Sequence, residues 1–267
     1  SELLYERGIY PESTYIFKHA LTREVVYDSI LKSKRKELHE KIASTIEESY
    51  KENLYDQYGV IAGHFIAGEN DEKGAEYSRL EAKKYQKAGL FKDAIENQKS
   101  SINCLERLPQ KESVQKKIID ARTTLANYHL TLTQNPQAKD AVEPVMELAL
   151  KLNYRKRLPV IYTAMGLYAL WVKEDFSRGV PYINDALRIS EEIGDFLSFW
   201  HGNYQLSIFL YHQCEFERAL SHIKKCLDLS EASNNLMGIS ASRGLMSQVY
   251  CIQGNISLAC KVGEEAL

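Results

Sequence analysis

The stretch Asp175-Phe176-Ser177-Arg178-Gly179, followed by Ala186-Leu187, decides the fold because it recurs. Forty residues on stands Glu215-Phe216-Glu217-Arg218-Ala219 with Cys226-Leu227, and forty further on Asn255-Ile256-Ser257-Leu258-Ala259 with Ala266-Leu267. Upstream come Gln137-Ala138-Lys139-Asp140-Ala141 with Leu148-Ala149, and Leu90-Phe91-Lys92-Asp93-Ala94 with Ser101-Ile102. Each unit places a small residue early in a helix and another seven residues later. Two such residues share one face and let a second helix approach closely. A fixed period near forty predicts a helical solenoid.

The rest of the chain agrees with that period. Six prolines and fourteen glycines interrupt 267 residues, and apolar residues recur at helical spacing between them. Leu38, Ile42 and Ile46 form one stripe, and Ile61, Phe65 and Ile66 another. Val180, Ile183, Leu187 and Ile189 form a third, and Leu220, Ile223, Leu227 and Leu229 a fourth. Period-2 alternation over a strand length is absent, so about a dozen helices joined by short loops are expected.

The pattern resembles the tetratricopeptide repeat family in a longer, forty-residue variety. The first-helix positions Leu206-Ser207 with Leu210, and Met246-Ser247 with Tyr250, fit as well. The family's Trp is missing, and Gly179 and Cys226 stand where Ala is usual. Residues 54–88, with Ala62, Phe65, Gly68 and Ala75, read as a further divergent unit. The resemblance implies an all-α, right-handed superhelical solenoid of antiparallel helix pairs, five to six units over 54–267.

Residues 1–50 stand outside the repeat. Tyr15-Ile16-Phe17-Lys18-His19 reads as an extended lead-in, followed by a helix capped by Thr22 and a basic amphipathic helix opened by Ser33. The order Phe17-x-His19, Glu24-x-x-Tyr27-x-x-x-Leu31 and Arg35-x-x-Leu38-His39 resembles the junction that follows the ATPase module in STAND-type signalling ATPases. That resemblance implies a fragment of a larger bacterial protein with an ATPase, and an adenylate or guanylate cyclase, upstream. The opening Ser1-Glu2-Leu3-Leu4, without Met or signal peptide, fits a piece cut from a longer chain.

Composition excludes several functions. Lys plus Arg is 34 against 36 Asp plus Glu, a net charge of −2 that gives no overall pull towards nucleic acid or anionic lipid. No run of eighteen apolar residues exists to span a bilayer. The five cysteines, Cys104, Cys214, Cys226, Cys251 and Cys260, lack zinc-ribbon or redox-pair spacing. Most fall on apolar helix faces as reduced thiols, which places the chain in the cytoplasm.

Chemistry-bearing motifs are missing too. There is no Gly-x-x-x-x-Gly-Lys-Ser/Thr loop, Gly-x-Gly-x-x-Gly turn or Gly-x-Ser-x-Gly elbow. His39-Glu40 has no histidine four residues after the first, and His201, His212 and His222 are spaced too widely for helical metal ligands. His19 and His39 read as partly buried structural histidines. The run Lys32, Lys34, Arg35, Lys36 reads as a solvated face, since Glu37, Glu40, Glu47 and Glu48 follow it. No catalytic residue, cofactor or metal is expected.

What remains is aromatic. In a tetratricopeptide-like solenoid the first helix of each unit lines the concave side. Counting back from Gly179, Ala219 and Ala259 puts Tyr168, Trp171, His201, Tyr204, Ile208, Tyr211, His212 and Gln248 there, with Cys251 beside them. Such a groove suits a protein or peptide, or another domain of the same chain, as partner. The bland alternative is that these rings pack between repeats. A second functional reading is a small-molecule-sensing solenoid, resembling a transcription activator of the maltose-regulon type. A closed apolar chamber of several hundred Å³ would favour the sensor, and an open groove a peptide.

Overall fold

A computed structural model describes residues 4–7 and 14–266. Residues 1–3 and 8–13, from the junction segment, and the final Leu267 lie outside the described residues. Two short antiparallel strands, β1 (Leu4–Arg7) and β2 (Thr14–Phe17), pair Leu4 with Phe17 and Tyr5 with Ile16. The lead-in is thus half of a hairpin, which too few residues disclosed. Thirteen α-helices follow among the described residues.

The junction supplies α1 (Ala20–Ser29) and α2 (Lys32–Ser49), and α3 (Tyr58–Ala67) comes next. Then come the pairs α4 (Asp71–Lys87) with α5 (Phe91–Arg107), and α6 (Glu112–Thr131) with α7 (Asn135–Lys151). They continue as α8 (Leu158–Trp171) with α9 (Phe176–Ile193), α10 (Phe196–His212) with α11 (Phe216–Ala232), and α12 (Leu236–Ile252) with α13 (Ile256–Glu264). Helices pack consecutively into a right-handed solenoid. Of the first helices, α6 touches α8, α8 touches α10 and α10 touches α12, which makes them one layer.

The small residues hold the pairs together. Ala94, Ala138 and Ala219 have no exposed surface, and Ala259 is buried. Gly179 has its own reason for departing from Ala. It faces Gly166 across the α8–α9 contact, and a Cβ on Gly179 would lie 2.5 Å from Leu170 and 3.1 Å from the Gly166 carbonyl oxygen. A methyl group there would force the two helices apart.

The turns share a second device. Glu69, Gly89, Thr133, Asn153, Glu174, Gly194, Cys214, Asn234 and Gly254, one in each connection concerned, all have positive φ. The following residue donates its amide N–H back to the last helical turn, as Gln134 does to His129 O (2.9 Å) and Glu215 to Leu210 O (2.9 Å). This left-handed helix stop reverses the chain in three residues and satisfies carbonyls that the helix end would otherwise leave bare. Asn70, Asp175, Asp195 and Asn235 then cap the next helix through their side chains.

Several expectations need correction. α1 begins at Ala20 and α2 at Lys32, and neither has a side-chain cap, so Thr22 and Ser33 are interior. Leu38 and Ile42 are exposed while Ala43 is fully buried, which rotates the apolar stripe of α2. In the unit around α7 the small position is Ala138, three residues before Ala141, because the helix starts at Asn135. The 54–88 unit straddles two pairs, since α4 is the first helix of the pair that α5 completes. Ala266 lies past the end of α13. Pro144 and Pro181 sit inside helices rather than between them. Only Cys104 and Cys226 are buried; Cys214, Cys251 and Cys260 are exposed, all five free.

α2 packs on α3 through Ala43, Ile61, Ala62 and Phe65, with Tyr77 from α4. Polar bonds tie the same helices together. Tyr77 Oη donates to Glu47 (2.6 Å), and the His39 and His64 Nδ1 atoms share a proton at 2.8 Å. His39 is half-buried there and also meets Tyr27 Oη at 2.9 Å, whereas His19 is exposed.

Candidate functional site

The eight proposed contact residues lie on three first helices: Tyr168 and Trp171 on α8, His201 to His212 on α10, and Gln248 on α12. Five of them, Tyr204, Ile208, Tyr211, His212 and Gln248, line one hollow of about 240 Å³ between α10 and α12. The α12 wall presents three small residues beside Leu245 and Gln248. Ser240, Ala241 and Gly244 face the rings, and a Cβ at Gly244 would meet nothing within 4 Å. The hollow exists because α10 brings bulk and α12 does not.

Trp171 extends the site towards α8. It is 37% exposed, and its ring meets His212 edge-on at 5.5 Å and Phe209 at 5.8 Å. His212 in turn meets Tyr211 at 5.2 Å. A ridge Trp171–His212–Tyr211 therefore runs from α8 into the hollow. Among the described residues, Tyr211 Oη, the His212 ring nitrogens and the Gln248 amide make no hydrogen bond, so polar tips stand ready around an apolar floor of Ile208 and Leu245.

Two of the eight are placed elsewhere. Tyr168 lies between the ammonium groups of Lys139 (5.6 Å) and Lys173 (5.8 Å), outside the hollow. His201 packs beside Trp200 (6.2 Å), and burial pushes its pKa down. Cys251 is exposed and does not line the hollow.

Trp200 braces a wall of the hollow and was missed by sequence reasoning. It stacks under Tyr204 at 4.9 Å with the rings 10° from parallel, and its Nε1 donates to Ser230 Oγ (2.9 Å). Cys226 Sγ donates to the Trp200 carbonyl (3.4 Å), and burial raises that thiol's pKa to about 12, which leaves it inert. Behind the same helix, His222 Nδ1 bonds Asn203 Oδ1 at 2.8 Å; burial first, then Lys225 and Arg218, lower its pKa to about 4. Trp200 precedes His201 by one residue, and its only sequence signal was its identity.

A larger cleft, about 610 Å³, opens between α4 and α6 over α5. Exposed Glu72, Glu76, Arg79, Lys83 and Lys117 line it, so it is a charged cleft and not a closed apolar chamber. Among the described residues no three His, Cys, Asp or Glu side chains are grouped to hold a metal ion, and no helix is long and apolar enough to cross a membrane.

No protein-family model matches the chain, and no curated protein matches its sequence. Solved structures share its fold. It is similar to BtubC (BKLC) from P. vanneervenii, with 15% identity and a TM-score of 0.58, over 86% of this chain and 89% of that one. It is similar to a signal transduction ATPase with numerous domains, carrying a tetratricopeptide repeat sensor, from Pyrococcus horikoshii. There identity is 16% and the TM-score 0.57, over 99% of this chain and 43% of that one. Aspartyl phosphate phosphatase F from Bacillus subtilis gives 13% and 0.53, over 80% and 66%. The chain thus spans under half of the ATPase and about two thirds of the phosphatase. At these identities the likeness establishes a tetratricopeptide-like fold.

Proposed function

We propose that this chain is a non-catalytic interaction and regulatory scaffold whose α8–α10–α12 face captures a protein or peptide. One observation carries the reading. Five residues taken from two helices at repeat spacing converge on a single hollow, with unpaired polar tips around an apolar floor. A 240 Å³ hollow fits one or two side chains and falls below the usual 300–1,000 Å³ of small-molecule sites. Peptide capture is therefore preferred over small-molecule sensing. Selection of displayed peptides on the chain, followed by calorimetry on wild type and Tyr211→Ala, tests it. A selected peptide should lose roughly 30-fold in affinity on Tyr211→Ala. Unchanged affinity for every selected peptide on both Tyr211→Ala and Trp171→Ala would end the reading.

We propose further that this scaffold is the regulatory part of a larger signalling ATPase. The junction residues Phe17-x-His19 to His39 support that, as does likeness to the ATPase sensor over 99% of this chain. A cyclase is not part of the proposal. Reading the gene upstream of Ser1 tests the placement: a Gly-x-x-x-x-Gly-Lys-Ser/Thr loop is expected, and a frame without one overturns it.

A further inference from the structure

We infer that α1 and the first half of α2 form an acid-released latch on α3, with the paired rings of His39 and His64 as its catch. The inference requires neither the aromatic hollow nor an upstream ATPase.

The two halves of α2 are held differently. Its second half is anchored by apolar packing, with Ala43 fully buried and Ile46 beside it against Ile61, Ala62 and Phe65. Its first half, Lys32 to Glu40, buries no residue. Lys36 pairs there with Glu69, Glu40 accepts from Asn70 Nδ2 (2.9 Å), and His39 meets His64. Gly68 lets α2 come this close, since a Cβ there would stand 3.2 Å from Glu40 N and 3.3 Å from the Lys36 carbonyl oxygen. α1 buries no residue either, and is tied to α2 by Tyr27 on His39 (2.9 Å) and Asp28 on Arg35 (3.2 Å). The chain from Ala20 to Glu40 thus holds mainly by polar bonds, and Ala43 marks the pivot.

Proton count decides how the catch behaves. Tyr27, His39 and His64 form a series across α1, α2 and α3. His39 uses Nε2 towards Tyr27 Oη (2.9 Å) and Nδ1 towards His64 Nδ1 (2.8 Å). With both rings neutral, one Nδ1 donates and the other accepts. One added proton is tolerated, because an imidazolium at His39 donates from both nitrogens, to Tyr27 Oη and to His64 Nδ1. A second proton is not. It must sit on His64 Nδ1, where N–H then faces N–H between two positive rings, and the bond becomes a repulsion. Burial, and then the charge on His39, accordingly push the His64 pKa below its ordinary 6.5. Both rings are half-buried, so solvent reaches them. The closed latch is therefore favoured above pH 6.5 and weakens as pH falls below it.

Among the described residues the charges around the pair are committed elsewhere. On α1, Arg23 and Glu24 are exposed and opposite in sign, and Asp28 is bound to Arg35. On α2, Glu37 is bound to Lys34 (2.8 Å), and Glu40 turns to Asn70. After α3, Glu69 is held by Lys36 and Lys32. On α4, Lys73 and Tyr77 close on Glu47, Asp71 meets Arg107, and Glu81 meets Lys84 (2.6 Å). No free carboxylate offsets the second proton. A metal ion in place of the shared proton would want further protein ligands, and no third His, Cys, Asp or Glu joins the pair among the described residues.

The test is hydrogen exchange of the whole chain at pH 7.5 and pH 5.5, corrected for the intrinsic rate at each pH. At pH 5.5 a proton bound only by the released form favours release roughly tenfold. Protection over residues 20–40 should fall by about that factor, while α4 and α5 keep theirs. His64→Asn puts an amide oxygen near the place of Nδ1 and takes no second proton, so its protection should not fall with pH. Unchanged wild-type protection at pH 5.5, or an equal fall in His64→Asn, would overturn the inference. Should His64→Asn already be unprotected at pH 7.5, imidazole nitrogen NMR spectra of the wild type decide. A scalar coupling between the two Nδ1 atoms at pH 7.5, lost at pH 5.5 together with protection of 20–40, supports the latch. Its absence at pH 7.5, or its survival at pH 5.5, sinks it.

Discussion

The inner faces of α4 and α10 occupy equivalent places in the repeat and carry opposite chemistry. Eighteen, fifteen, eleven and eight residues before Ala94 stand Glu76, Arg79, Lys83 and Gln86. The same steps back from Ala219 give His201, Tyr204, Ile208 and Tyr211. Behind these columns the two regions are alike: Ala94 and Ala219 are both sealed, and Ser101 and Cys226 both follow, buried, seven residues later. The buried positions therefore keep the period, and the lining positions between them vary. One scaffold presents a wide charged cleft at one end and a narrow aromatic hollow at the other.

The largest expected effect tests the shared part of that comparison. Ala94→Leu and Ala219→Leu should each destabilise the chain by about 3 kcal/mol, because a Leu cannot fit between helices that touch through a methyl group. Thermal melts should show the two falls to be similar. If only one variant melts early, the two regions are not built alike.

A second effect should be confined to one region. Trp171→Ala and Tyr211→Ala should weaken partner capture by about 2 kcal/mol each. Both should lower the melting temperature less than Ala219→Leu does. Should the rings cost more in melting than Ala219→Leu, and binding survive, they are interior packing and the hollow is no site.

Sequence reading reached the first half of this comparison and not the second. The period was legible because Phe91, Phe176 and Phe216 each open a helix three residues before the small residue. Register failed at α7, where no aromatic marks the start. Ala138 and Ala141 are three apart on one face and both buried, so pattern alone does not choose between them. The aromatic lining stood out because exposed Tyr and Trp are uncommon on a helix. The charged lining did not, since Glu72, Glu76, Arg79 and Lys83 look like any solvated face until α6 is seen to stand opposite. Counting back from Ala94 would have found them. The left-handed turns at Glu69, Thr133, Glu174 and Cys214 were illegible for another reason: none is Gly or Asn, the residues that announce such a turn.

Acid should separate the two regions as well. His222 sits behind the aromatic helix, and its pKa in the fold, about 4, lies below the ordinary 6.5. Protonation therefore favours the unfolded chain. Its contribution to stability is complete above pH 6.5 and is lost as pH falls towards 4. Allowing for its partial exposure, the loss at pH 5 is roughly 1 kcal/mol. The measurement is the difference in denaturant midpoint between pH 7 and pH 5 for wild type and His222→Gln. The variant, which keeps a donor for Asn203 Oδ1, should show a smaller difference. Equal differences would mean that His222 is solvated and the α10–α11 contact looser than described.

The smallest effect concerns the turn that leaves the charged region. Thr133 follows α6 with φ at 58°, a conformation in which a β-branched side chain crowds its own backbone. The turn keeps it because Thr133 N donates to Leu130 O (3.0 Å) and Gln134 N to His129 O (2.9 Å), bonds that close the helix end. Glycine would adopt the same conformation without crowding, but it gives the unfolded chain more freedom, so the two effects partly cancel. Thr133→Gly should therefore stabilise by about 0.5–1 kcal/mol, a rise of a few degrees at most in a chain of this length. Cys214→Gly, at the matching turn after α10 with φ at 59°, should gain less, because its side chain is not β-branched. Asn153→Gly should gain nothing, since Asn tolerates this conformation nearly as well as glycine. The order Thr133, Cys214, Asn153 in differential scanning calorimetry is the readout. A Thr133→Gly variant that melts below wild type would show that its side chain contributes packing, and that the turns of the two regions are not interchangeable.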